Sequence, residues 1–83
     1  MKWICENTQK ADIYIAKTDH MRFSVVMGHV NYPNIWVLNT TPDIFKGCYR
    51  LASANEITGE QACKKAEEIT RVRLNAILDG MDA

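Results

Sequence analysis

Two histidines and three cysteines are the side chains best suited to nucleophilic or metal chemistry in this 83-residue chain. His20 follows Asp19 in the polar run KTDH, and a carboxylate beside an imidazole is part of an acid–base relay. No serine or cysteine stands near it to act as nucleophile, so His20 reads as a surface turn residue. His29 follows Gly28 at the end of an apolar run and can approach Cys48 or Cys63 once the chain folds. A zinc site asks for about four ligands with at least one close pair. Cys5, Cys48 and Cys63 are odd in number and widely spaced, so neither a metal centre nor a disulfide framework is expected. The expectation is three reduced, mostly buried thiols, no cofactor and no catalytic activity. The triplet NTT at Asn39 matches a glycosylation acceptor, but so short a match arises by chance and is set aside.

Charge and hydropathy narrow the classes further. Ten Lys and Arg balance ten Asp and Glu. That removes the basic excess through which nonspecific nucleic-acid binders release counterions. No run approaches the roughly 18 apolar residues needed to span a bilayer, and MKWICENTQK lacks the apolar core of a secretion signal. A cytoplasmic protein with no membrane partner is expected.

The elements that would position these residues are short. KWIC (2–5) and DIYIAK (12–17) have the composition of edge strands, and MRFSVVMGHV (21–30) alternates a clean apolar row of Met21, Phe23, Val25 and Met27 with Arg22, Ser24 and Val26. NYPN is a turn, NIWVLN (34–39) a strand, TTPDIFKG (40–47) a connection, and CYRLASA (48–54) a strand with Tyr49 and Leu51 on one side. The connections are too short for parallel crossovers, which predicts an antiparallel meander of three to four strands. Thr58 and Gln61 form a capping-box signature, and Gly80 supplies a stop, giving a helix over 58–79. Ala62, Ala66, Ile69, Val72 and Ala76 form its expected buried row, small early and so able to approach a sheet closely. The fold class is therefore α+β: one domain over 1–83, with a sheet over about 2–54 and one long C-terminal helix packed against it.

One helix covers one face of a sheet, yet IWVL, 35–38, is apolar on both. If Phe23 and Val25 face the helix, then Arg22, Ser24, Val26, Cys48 and Arg50 face away, with Tyr14 among them, and one pair of IWVL joins them. Aromatic rings and arginines on an open sheet have the composition of binding hot spots. Tyr14, Arg22, Trp36 and Arg50 are accordingly candidate partner-binding residues, the bland alternative being that Trp36 belongs to the core. Trp3 is placed to cap part of that face. The second half of the helix overhangs the sheet, and Leu74 and Leu78 lie on a different side from Val72 and Ala76. Cover for them comes from the 40–47 connection or from another chain, so a homodimer through either surface is a further candidate.

In its early tryptophan, its meander and its single capped C-terminal helix, the chain resembles small phage and prophage proteins, including anti-CRISPR proteins that block host defence complexes. The resemblance covers the whole chain by size and element order, with no shared motif. It implies a stoichiometric inhibitor that binds a host protein or ribonucleoprotein complex in the host cytoplasm through shape and apolar contact. The alternative is a small nucleic-acid-binding module that stacks bases on an aromatic and arginine sheet face. Direct nucleic-acid binding is the weaker reading, because the net charge is zero.

Overall fold

The computed structural model describes residues 2–7 and 11–82; Met1, Ala83 and residues 8–10, the ends of the expected domain among them, lie outside the described residues. Five strands, β1 (Ile4–Asn7), β2 (Asp12–Lys17), β3 (Arg22–Met27), β4 (Ile35–Thr41) and β5 (Tyr49–Ser53), precede one helix, α1 (Gly59–Asp82). The strands lie in chain order, and every neighbouring pair is antiparallel. The meander therefore has one strand more than the expected upper limit of four. The extra member is β1, shifted two residues along from the KWIC run, with Ile4 opposite Ile15 and Cys5 opposite Tyr14.

Local chemistry explains each boundary. Thr18 closes the β2–β3 hairpin, its amide donating to the Met21 carbonyl at 2.8 Å while its hydroxyl accepts from the Met21 amide at 3.0 Å. After β4, Thr41 and Pro42 are joined by a cis peptide, and the Asp43 carboxylate accepts from the amides of Phe45 and Gly47, at 3.0 and 2.7 Å. Thr40 and Thr41 belong to β4 rather than to the connection, because Arg22 and Phe23 continue the ladder against them.

Thr58 and Gln61 form the reciprocal cap: the Thr58 amide donates to Gln61 Oε1 at 2.9 Å and the Gln61 amide to Thr58 Oγ1 at 3.2 Å. The other end departs from expectation. The helix runs through Gly80 to Asp82, since a glycine stops a helix by turning left-handed, and Gly28 and Gly47 are the described glycines with positive φ. At about 1.5 Å per residue, α1 is roughly 36 Å long against about 23 Å for β4, and the molecule measures 46 × 23 × 20 Å.

The core lies between one sheet face and the first half of α1. Ala16, Phe23, Val25, Trp36, Leu38 and Leu51 meet Ala62, Cys63 and Ala66, with Ile69 at the margin. A bulge lets β5 contribute more than simple alternation allows: Val37 pairs with Arg50 and Trp36 with Ala52, leaving Leu51 as the inserted residue. Val72 and Ala76 were expected to continue the helix's buried row, but Val72 is 64% exposed and Ala76 is exposed. The buried stripe turns instead through Cys63 and Thr70, and all of 71–80 is exposed because the sheet ends beneath it.

Candidate protein-docking face

The register decides which side chains each face displays. Tyr14 is opposite Val25, Val25 opposite Leu38, and Leu38 opposite Tyr49, so all four point to the helix side. Tyr14 therefore does not lie on the open face as expected. Its ring packs 5.9 Å from that of Trp36 and against Gly59 at the start of α1. Trp36 is buried too, with Nε1 donating to the Ile57 carbonyl at 3.3 Å, so it belongs to the core, the alternative read from sequence, and not to the open face. Trp3 does not cap the far face either: it meets Phe23 edge-on and donates from Nε1 to Glu67 Oε1 at 3.2 Å, on the helix side.

The far face carries Ile35 and Val37 from β4, Ile13 and Ile15 from β2, Ser24 and Val26 from β3, Ile4 from β1 and Arg50 from β5. Its two halves differ. Over β4 and β5 the β3–β4 connection, 28–34, folds back onto the sheet. The Arg50 guanidinium stacks on the Tyr32 ring at 5.5 Å, and His29 Nε2 stands 3.9 Å from Cys48 Sγ. On this half of the face Val37, opposite Arg50, is wholly buried. Over β1, β2 and β3 the face stays open: Ile13, Ile15 and Val26 are half-buried and Ile4 is 60% exposed. At its lower end Lys17 lies directly opposite Arg22, and Lys2 and Lys17 border a recess of about 280 Å³ floored by Ile4 and Ile15.

Of the candidates read from sequence, Arg22 lies on the open face and Arg50 on the flap-covered half. Leu74 and Leu78, 36% and 57% exposed, stand on the projecting helix. The structure does not bring these two groups together. On the opposite side of that helix a second cleft, about 450 Å³, runs between α1 and the β4–β5 connection, lined by Phe45, Tyr49, Ile69, Val72 and the cations Lys46 and Arg73. Arg73 ties the two together, donating from Nε to the Ile44 carbonyl at 3.0 Å. The connection thus flanks the helix through Arg73 without burying its second half: Val72 and Leu78 stay 64% and 57% exposed, and the expected cover from 40–47 does not reach Leu74 or Leu78.

Sequence reasoning missed the aliphatic half of the site. Ile13, Ile15 and Ile4 were legible as strand residues, but their side of the sheet was not. One signal was available: a four-residue connection, Thr18–Met21, pairs Lys17 with Arg22, and counting back from that pair sets Tyr14 opposite Val25.

The Asn31 amide donates to His29 Nδ1 at 3.1 Å, and the other ring nitrogen, Nε2, faces Cys48 Sγ. Two of the three cysteines, Cys5 and Cys48, are exposed rather than buried, since β1 is an edge strand and Cys48 precedes β5 on the far face. Cys63 is buried, and burial, helped by Glu67, Cys5 and Glu60, pushes its thiol up to about 12. Burial likewise raises the Tyr14 phenol, reinforced by a hydrogen bond with Cys5. Among the described residues no three His, Cys, Asp or Glu side chains converge on a metal-sized site, and no helix is long and apolar enough to cross a membrane.

Comparison of the chain with protein-family models, curated proteins and solved structures finds no match.

Proposed function

We propose that this chain is a non-enzymatic protein-binding module that acts by occupying a partner's surface, as a stoichiometric inhibitor does. The observation that carries the reading is the aliphatic face of Ile4, Ile13, Ile15 and Val26, which neither α1 nor the β3–β4 flap covers. A domain this small has few apolar residues beyond those its own core requires. A contiguous apolar area bordered by charge is the surface composition of a protein interface. The phage-inhibitor resemblance agrees with such a role and supplies a setting for it, a host protein or ribonucleoprotein complex.

The base-stacking alternative loses its support once the faces are assigned. Trp3, Tyr14, Trp36 and Tyr49 point to the helix side, and Tyr32 is engaged by Arg50. No aromatic ring of the described residues lies on the β1–β3 part of the far face, where a base would have to stack.

The test is affinity capture with the purified chain, run in parallel with an Ile13→Ser/Val26→Ser variant. A protein retained by the native chain and lost with the variant, while Leu78→Glu still retains it, supports docking through the sheet. Recovery of nucleic acid alone, released steeply by salt, refutes it.

A further inference from the structure

We propose that the occupant of the β1–β3 face is a protein surface whose apolar patch is bordered on one side by carboxylates. This rests on the docking reading above and adds the chemistry of the partner.

The face is polarised along the strands. Ile13 opposite Val26 and Ile15 opposite Ile4 form its aliphatic part, and one step further along β2 and β3 comes Lys17 opposite Arg22. Lys2 stands beside Lys17 around the recess that Ile4 and Ile15 floor. All three cations are exposed. Like charges set directly opposite each other on neighbouring strands repel, and a chain with balanced charge had opposite-sign residues to use there. Among the described residues the one carboxylate that the strands place on this part of the face is Glu6, opposite Ile13 and away from the cationic end, while Asp19 lies in the turn that joins Lys17 to Arg22. A concentration of three cations beside an aliphatic strip is therefore complementary to carboxylates placed beside an aliphatic or aromatic patch.

The same arrangement disfavours a second copy of the chain. Turning a copy over about an axis along the strands sets the cationic ends on each other. Turning it about an axis across the strands sets each cationic end over Glu6, Ile13 and Val26 of the other copy, a single carboxylate against three cations. A nucleic-acid backbone would satisfy the cations but leave the aliphatic strip against ribose and phosphate.

Selection of random 16-residue peptides displayed on phage, with the full chain immobilised, reads the partner chemistry directly. Peptides with Asp or Glu flanking Leu, Ile or Phe are expected. They should weaken at least tenfold on Lys17→Glu/Arg22→Glu, whose substituted side chains are exposed and leave the core intact, and should fail on Ile13→Ser/Val26→Ser. Circular dichroism of each variant confirms that it is folded. Enriched peptides that are neutral or basic, yet still depend on Ile13 and Val26, overturn this inference while leaving the docking reading in place. Peptides that bind both variants as well as the native chain, or no enrichment at all, overturn both. A 20-nucleotide single strand of DNA serves as the second probe: no binding is expected. Salt-sensitive binding lost on Lys17→Glu/Arg22→Glu would assign the cations to phosphate and overturn the proposal.

Discussion

The Tyr14 ring lies directly over Gly59, so closely that a Cβ on Gly59 would fall 2.5 Å from the ring's Cε2. The contact joins the middle of β2 to the first residue of α1, and it fixes both the side on which Tyr14 lies and the depth at which the helix starts. Gly59→Ala should therefore destabilise the domain by about 1–3 kcal/mol, although alanine is the better helix former. Tyr14→Leu should recover part of the loss in the double variant. Urea denaturation of the two single variants and the double variant measures the coupling, and additive effects would show that the ring moves aside freely.

Leu38 and Leu78 make a contrasting pair, one fully buried and the other 57% exposed on the projecting helix. Leu38→Ala should cost about 2–5 kcal/mol and Leu78→Ala less than about 0.5 kcal/mol. Comparable losses, read from denaturation midpoints, would show that the second half of α1 is packed.

The cationic end of the open face should be a cost to stability. Lys17→Glu turns the like-charge pair with Arg22 into an opposite-charge one, and is expected to stabilise the chain by about 0.2–1 kcal/mol at low salt. The gain should shrink in concentrated salt. A destabilised Lys17→Glu protein would mean that Lys17 makes a favourable contact which the cross-strand geometry does not explain.

Cys63 sets a pH dependence with a definite sign. Its thiol is held up to about 12 in the folded chain, so between its ordinary value near 9 and about 12 the unfolded state loses a proton that the folded state keeps. Stability is thus unaffected by this group below about pH 9 and falls as pH rises through that window, by up to about 1.4 kcal/mol per pH unit. The raised Tyr14 phenol adds to the fall in the same direction at the alkaline end. Cys63→Ala should flatten the profile, and thermal melts from pH 7 to 11 compare the two. An unchanged slope would show that Cys63 ionises in the folded protein.

Capping contributes independently of the core. Thr58→Ala removes the acceptor of the Gln61 amide and should lower stability by about 0.5–2 kcal/mol, with Thr58→Ser close to native. Loss of helical ellipticity without a shift in midpoint would point to fraying confined to the first turn.

What the sequence determined is what local chemistry specifies. The capping box named the helix start to within a residue, the alternation in DIYIAK and MRFSVVMGHV named β2 and β3, the latter ending three residues early at Met27, and short connections made the meander antiparallel. Local chemistry could not end the helix, because whether Gly80 turns left-handed depends on contacts that a projecting end lacks. Nor could alternation say which row of a strand faces inward when both are apolar. Tyr14 and Trp36 were placed by cross-strand register, counted from a hairpin of fixed length, and by a bulge at Leu51 that shifts the phase of β5. The stacking of Arg50 on Tyr32 is tertiary as well, since the two meet only when the β3–β4 connection folds back across the sheet. The candidate site follows the same division. Arg22 was visible as an outward residue of a half-buried strand. The aliphatic strip and the cationic end became one surface only when three strands were laid side by side, because a single strand carries one line of side chains and a face takes several.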